Sequence, residues 1–187
     1  MGEPTVFVRF TGCNLRCAFC DTKYAWTGGR PMTRDEVLSA VREARHGFPA
    51  AWVCLTGGEP LLQDIAGLVR DLRREGLHVQ VETNGTIDRF IPVDWYTVSP
   101  KPKDYACQTR FRKSAKEVKL VASRDLTYNV VARLRAEFPK DTPILLQPES
   151  NRPASARRAM DILTRSLKDG LPNIRLSCQL HKVLRLR

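Results

Sequence analysis

The chain has 187 residues, 42% of them hydrophobic, enough to bury one core of ordinary size and too few for two, so residues 1–187 read as one domain. Its formal charge of +11 comes from 31 basic and 20 acidic side chains and admits an anionic small molecule, an acidic protein or a nucleic acid as partner without choosing among them. No apolar run is long enough to span a bilayer, and Met1–Phe10 has no basic start, long apolar run or small-residue cleavage site, so the reading is a cytoplasmic protein with no membrane contact.

The elements alternate along the chain. TVFVRF (5–10) reads as a strand. The segment 33–48 reads as a helix opened by a capping box, Thr33 with Glu36 three residues on. AWVCL (51–55) is a strand, and 61–76 carries apolar residues at helical spacing until Gly76 ends it. HVQVE (78–82) and WYTVS (95–99) are strands. Arg110, Arg112, Lys113, Lys116 and Lys119 concentrate positive charge and read as a solvated face. EVKLV (117–121) is a fifth strand, 123–138 a helix with Ser123 as its cap, and PILLQ (143–147) a sixth strand. A helix over 155–170 stops at Gly170, and IRLSC (174–178) is a last short strand. Strands alternating with helices imply an α/β domain with a mostly parallel sheet.

The polar motifs share one address. The three clustered cysteines follow the first strand, TGGEP the second, ETNGT the third, SPK the fourth, QPES the sixth and QLHK the last. In barrel-like α/β folds the C-terminal strand ends gather on one face, where active sites are built. Segments remote in sequence are therefore expected to line one pocket.

Six cysteines in such a chain argue for metal or redox chemistry before disulfides. Cys54 and Cys178 lie in apolar runs and read as small buried hydrophobes, and Cys107 as an exposed, incidental thiol. Cys13, Cys17 and Cys20 form a C-x3-C-x2-C cluster. Three thiolates can hold three irons of a [4Fe–4S] cubane and leave the fourth iron open to a small molecule. A structural zinc is the alternative. Closed zinc sites want four ligands, and the candidates for a fourth, Asp21 or a distant histidine, follow no recognisable pattern.

Cys13, Cys17, Phe19 and Cys20 together resemble the cysteine motif of the radical S-adenosylmethionine (SAM) superfamily, and Thr56–Pro60 resembles its glycine-rich motif. With VRFTGCNLRCAFCDT, YAW, TGGEP, ETNGT, VSPK, LQP and QLHK in family order over nearly the full length, the chain resembles the 7-carboxy-7-deazaguanine synthases of queuosine and deazapurine biosynthesis. The resemblance implies a partial (β/α) barrel, a [4Fe–4S] cluster, SAM and magnesium. It implies reductive cleavage of SAM to a 5′-deoxyadenosyl radical. That radical removes a hydrogen from C6 of 6-carboxy-5,6,7,8-tetrahydropterin, after which the ring contracts and ammonia leaves.

The resemblance also assigns residues. Cys13, Cys17 and Cys20 hold the cluster. Phe19, Gly57, Gly58, Glu59, Ser99, Lys101 and Gln147 serve SAM, the glycines by letting backbone approach the methionine amine and Glu59 by organising that turn. Thr22 contacts magnesium, with Asp21 beside it as a metal-tuning or pterin-amine contact. Arg9, Thr56, Gly58, Glu82, Asn84 and His181 face the pterin. Arg9 meets a carboxylate, Glu82 accepts from the 2-amino and N3–H edge, and Asn84 complements the adjacent edge. Partners implied are a small pterin, a reductant protein such as flavodoxin and a second copy in a homodimer, with no direct nucleic-acid contact.

One departure stands out. The family begins earlier, with a strand and a QGEG segment that contacts the pterin, whereas this sequence opens at MGEPTVFVRF. A late or truncated start and a divergent member both account for it. If translation starts at Met1, cluster and SAM binding are expected to persist, while pterin affinity and carboxylate recognition weaken and a sheet edge lies bare. The competing functions are a glycyl-radical activating enzyme, a basic RNA-binding domain with structural zinc, and a cluster-bearing member without catalysis. Iron and sulfide content separates the zinc reading from the others.

Overall fold

The structure is a computed structural model that describes residues 3–184. Its strands are β1 (Thr5–Phe10), β2 (Trp52–Gly57), β3 (His78–Thr83), β4 (Trp95–Val98), β5 (Glu117–Val121), β6 (Ile144–Gln147) and β7 (Ile174–Leu176). The helices are α1 (Arg34–His46), α2 (Ala66–Arg74), α3 (Thr109–Ser114), α4 (Tyr128–Glu137), α5 (Pro153–Lys168) and α6 (Leu180–Val183). The strand order is β1-β2-β3-β4-β5-β6-β7, and the pairs β1–β2, β2–β3, β4–β5, β5–β6 and β6–β7 are all parallel. This is the α/β fold with parallel strands that the alternation implies.

The chain forms two compact units, the first holding residues 1–83 and 87–96, the second residues 84–86 and 97–187. In the first unit Val53, Leu55, Val79 and Val81 are fully buried in the strands, and Leu38, Val41, Leu68, Val69 and Leu72 supply the buried stripes of α1 and α2. In the second, Val118, Leu120, Ile144 and Leu146 play the strand part, and Val131, Leu134, Ala159 and Ile162 the helix part. Each such side chain contributes roughly 1.5–3 kcal/mol on burial, so the near-continuous apolar runs of the central strands set the core.

Local signals place several boundaries. Thr33 caps α1 through a complete capping box: its hydroxyl accepts from Glu36 N–H at 3.2 Å and Glu36 Oε2 accepts from Thr33 N–H at 2.6 Å. α2 begins at Ala66, not at Leu61. Residues Pro60–Leu62 are spent on a 3-10 turn, and Asp64 accepts from Ala66 N–H at 3.2 Å, which starts the helix there. α4 begins at Tyr128 under Thr127, whose hydroxyl accepts from Val130 N–H; Ser123 instead sits buried in the turn before it. The sequence reading omits α3, α6 and the turn Lys23–Trp26, which are too short for periodicity to reveal.

Two cysteine readings are corrected. β7 ends at Leu176, so Cys178 is exposed rather than buried. Cys107 is only 7% exposed and lies against Gly85 in the second unit. Burial pushes its thiol up to about 11. Cys54 is buried, as the apolar run suggests. Alkylation by iodoacetamide at pH 8 is expected to label Cys178 rapidly and to leave Cys107 unmodified in the folded protein. Peptide mapping by mass spectrometry reads the difference.

Candidate active site

The first unit builds its polar end from three consecutive strand exits. After β1 the chain turns through Gly12 and runs into the cysteine loop. Cys13, Cys17 and Cys20 are all half-buried on this loop, and none is in a disulfide. Cys20 N–H donates to the Cys17 carbonyl at 3.0 Å, and Thr22 N–H points at Cys20 Sγ at 3.4 Å. Arg16 adopts φ of 47° between the first two cysteines, a left-handed kink that folds the short loop back on itself. Among the described residues no group of three or more Cys, His, Asp or Glu closes on a common metal position. The donor set nonetheless fits a cluster held by three cysteines: three thiols on one short loop, and a backbone N–H aimed at one sulfur. Closure of such a loop is coupled to loading, because metal binding and local ordering are linked.

Thr22 donates its hydroxyl hydrogen to Asp21 Oδ1 at 3.0 Å, which sets two hard oxygen donors side by side. Oxygen donors of this kind suit magnesium. Phe19 is half-buried on the same loop.

The exit of β2 is locked to that of β1. Gly58 N–H donates to the Phe10 carbonyl at 2.8 Å, and Glu59 N–H donates to the Gly12 carbonyl at 2.8 Å. A Cβ on Gly57 would strike Phe10 O, and one on Gly58 would strike Gly12 O. Gly57 also takes φ of 117°, which side-chain-bearing residues rarely adopt. Glu59 is fully buried; its Oε1 accepts from Leu61 N–H at 3.1 Å and from the Thr83 hydroxyl at 2.8 Å. That carboxylate fastens the turn to the end of β3.

Register aligns the remaining candidates of this unit. Arg9 pairs opposite Thr56 across β1–β2, and the Thr56 hydroxyl donates to Glu82 Oε2 at 3.0 Å across β2–β3. Arg9, Thr56 and Glu82 thus form one row at the strand ends. Arg9 is exposed, its guanidinium 5.3 Å from the centre of the Phe7 ring.

The second unit presents its own set. Asn84 Oδ1 accepts from Thr86 N–H at 2.9 Å and from the Thr86 hydroxyl at 2.6 Å. Ser99, 5% exposed, donates to the Lys119 carbonyl at 2.6 Å, and Lys101 Nζ donates to the Ser99 hydroxyl. Gln147 ends β6, where its carbonyl accepts from Ala122 N–H at 2.8 Å. Ser155 secures the following turn by accepting from Glu149 N–H at 2.6 Å and donating to the Ala122 carbonyl at 2.7 Å. His181 falls in α6, and its side chain lies outside what the structure describes.

Sequence reasoning missed Thr83, Thr86 and Ser155. Ser155 is a lone hydroxyl outside any motif, and Thr83 and Thr86 lie within ETNGT but had no role assigned. ETNGT carried the only available signal, an Asn two residues before a Thr with Gly between, which is an Asx-turn pattern.

Comparison with known proteins follows the same lines. The radical SAM superfamily profile matches residues 7–101. The 7-carboxy-7-deazaguanine synthase of Aquifex aeolicus (strain VF5) is 33% identical, over 100% of this chain and 87% of the relative. That of Bacteroides thetaiotaomicron is 37% identical, over 100% of this chain and 90% of the relative. The crystal structure of QueE from Escherichia coli superposes with a TM-score of 0.76 at 28% identity, over 95% of this chain and 86% of that one.

The glycine turn yields a direct test. Gly58→Ala is expected to lower the thermal midpoint and the iron and sulfide content after reconstitution, because its Cβ would drive Gly12 and the cysteine loop away. Gly47→Ala, whose Cβ would meet nothing within 4 Å, leaves both unchanged. Differential scanning fluorimetry and colorimetric iron and sulfide assays measure the pair.

Proposed function

As the chain belongs to the 7-carboxy-7-deazaguanine synthase family of radical SAM enzymes, we propose that it converts 6-carboxy-5,6,7,8-tetrahydropterin to 7-carboxy-7-deazaguanine. One hydrogen is removed at C6, the ring contracts and ammonia is expelled. The family's cofactors are a [4Fe–4S] cluster and SAM, and when bound they supply a 5′-deoxyadenosyl radical from reductive opening of the sulfonium.

The observation that carries the reading is the row Arg9–Thr56–Glu82 beside the cysteine loop. It sets a cation and a hydrogen-bonded carboxylate two strand spacings apart, about 10 Å. That span is comparable to a bicyclic pterin measured from its C6 carboxyl to its 2-amino group. Arg9 takes the carboxylate with its planar fork, and Glu82 takes the amino and N3–H edge. The Thr56 hydroxyl holds Glu82 Oε2 in the row. The backbone at Gly58, bare of any side chain, completes this wall.

The other side chains divide by chemistry. Cys13, Cys17 and Cys20 hold the cluster, and Phe19 on the same loop serves SAM. Gly57 and Gly58 admit the methionine end of SAM to the backbone, with Glu59 as the brace beneath them. Ser99, Lys101 and Gln147 bind SAM, Lys101 supplying the positive charge for its carboxylate. Asn84 and His181 add polar contacts to the pterin, and Thr22 with Asp21 receives magnesium. Flavodoxin as electron donor, a homodimeric assembly and a cytoplasmic setting complete the proposal. No helix among the described residues is long and apolar enough to cross a membrane.

Anaerobic turnover tests it. Protein reconstituted with iron and sulfide, reduced, and given SAM, magnesium and 6-carboxytetrahydropterin is expected to yield 7-carboxy-7-deazaguanine by mass spectrometry. Glu82→Gln is expected to lower kcat/KM for the pterin by at least about tenfold, the scale of a lost hydrogen bond to a charged group. Deoxyadenosine release without the deazaguanine would overturn the assignment of substrate while leaving the radical SAM chemistry in place.

A further inference from the structure

The connections between successive strands are built unequally. A helix stands between β1 and β2, between β2 and β3, and in each connection from β4 to β7, whereas residues 84–94, between β3 and β4, hold none. In α/β folds the crossover helices cover the sheet and pack against one another, so a connection without a helix leaves the neighbouring helix with an unpartnered flank.

That flank belongs to α2. On one side α2 is tied to α1, through Arg34–Asp71 at 3.1 Å and Arg42–Glu75 at 2.6 Å. Its other side borders a groove of about 590 Å³, lined by Ala66, Val69, Arg70 and Arg73 of α2 and by Ile91 and Pro92. The four α2 residues follow i, i+3, i+4, i+7 spacing, which is one stripe of a helix. All of these residues lie in the first unit. Val69 and Ile91 are buried and form the floor, while Ala66 and Pro92 are exposed walls. Arg89 donates to the Leu61 carbonyl at 3.0 Å and so fastens the connecting segment to the turn before α2. Next to this bond in the chain, Leu62 and Phe90 are 41% and 40% exposed.

The groove is one-sided in charge. Arg70, Arg73 and Arg74 stand along it, and no carboxylate is among its lining residues. Arg73 is paired with Asp94 at 3.2 Å, and Arg74 shares Asp71 with Arg34. Arg70 is exposed and has no ion pair among the described residues.

We propose that this groove docks an amphipathic helix of an acidic partner protein. Such a helix lies along α2, sets an apolar ridge on Val69, Ile91 and Pro92, and brings carboxylates to Arg70 and Arg74. Helix-in-groove recognition uses anchors at just this spacing, and α2, nine residues long, offers about 13 Å of wall. A second copy of this chain fits less well, because a formal charge of +11 sets like against like. A nucleic acid would meet the arginines but not the apolar floor. The groove also lacks the converging buried polar groups that fix a small molecule. None of its residues has a part in the proposed reaction, so the docking role stands apart from that reading.

Fluorescence polarisation with the full chain tests it. The probe is a labelled, side-chain-stapled helical peptide of about fourteen residues, with leucines at i, i+4 and i+7 and glutamates flanking them. Saturable binding is expected with a Kd on the order of 10 μM at low salt, weakening as salt is raised. Arg70→Glu is expected to raise Kd by at least about tenfold, and Ala66→Trp, which fills the groove from its exposed wall, by a similar factor. Arg157→Glu makes the same charge change at an exposed arginine of α5 and is expected to alter Kd by less than about twofold. Thermal midpoints of all three variants are expected to stay within about 4 °C of the parent, which separates lost docking from lost folding.

Absence of saturable binding to the parent overturns the proposal, as does an Arg70→Glu variant that binds as well as the parent. An equal loss in Arg157→Glu overturns it by reducing the attraction to overall charge. Equal binding of a control peptide with glutamines in place of the glutamates overturns the acidic partner. Two further arms address the other occupants. An assembly that Arg70→Glu dissociates in sedimentation velocity assigns the groove to a second copy. A tRNA that displaces the peptide and binds Arg70→Glu more weakly than Arg157→Glu assigns it to nucleic acid. Either result overturns the proposal.

Discussion

The buried Glu59 carboxylate is the constraint on which the polar end of the first unit depends. It has no exposure, and it accepts from the Leu61 N–H in its own turn and from the Thr83 hydroxyl at the end of β3. An acidic group is buried only where hydrogen bonds replace water, and these two bonds come from different strand exits. The turn after β2 can therefore sit in one place only. Because Gly58 and Glu59 donate to the carbonyls of Phe10 and Gly12, the start of the cysteine loop inherits that placement.

This arrangement explains why the glycine-rich turn has so little freedom of composition. Gly57 and Gly58 lie where any Cβ would meet the backbone after β1, so their smallness serves packing. The same economy appears in the second unit. Gly85 admits the Cys107 thiol, and Ser155 ties the exits of β5 and β6 with one hydroxyl. In both units, single polar atoms and bare glycines hold the loops at the strand ends, while the apolar strands and helices beneath carry the stability.

Parallel pairing adds a second layer of order. Neighbouring strands in register place residues of equal height in rows, so Arg9, Thr56 and Glu82 come together without any sequence signal linking them. The row is of alternating character, with a cation, a hydroxyl and a carboxylate. The cysteine loop supplies soft donors and Thr22 with Asp21 hard ones, so the metal preferences of the two groups do not compete.

Much of this was legible in the linear sequence. The alternation of strands and helices, the Thr33–Glu36 cap, the three thiols at short spacing and the motif after almost every strand are local properties, written in periodicity and covalent distance. The helix read from Leu61, the Ser123 cap and the fates of Cys107 and Cys178 were not legible. The first two turn on which of several near neighbours offers the better partner: Glu59 draws Leu61 into a turn, and Thr127 rather than Ser123 caps α4. Cys107 turns on the distant Gly85, which makes room for it, and Cys178 on β7 ending at Leu176. The sequence by itself determined which chemical groups are present and which strand end each follows, because those depend on neighbours along the chain. Only the tertiary structure decided that Glu59 is enclosed, that Thr56 holds Glu82 and that the Asn84–Thr86 turn rests on residues 107 and 108. Those pairings are set by strand register and close packing between segments twenty or more positions apart, and no local pattern encodes either.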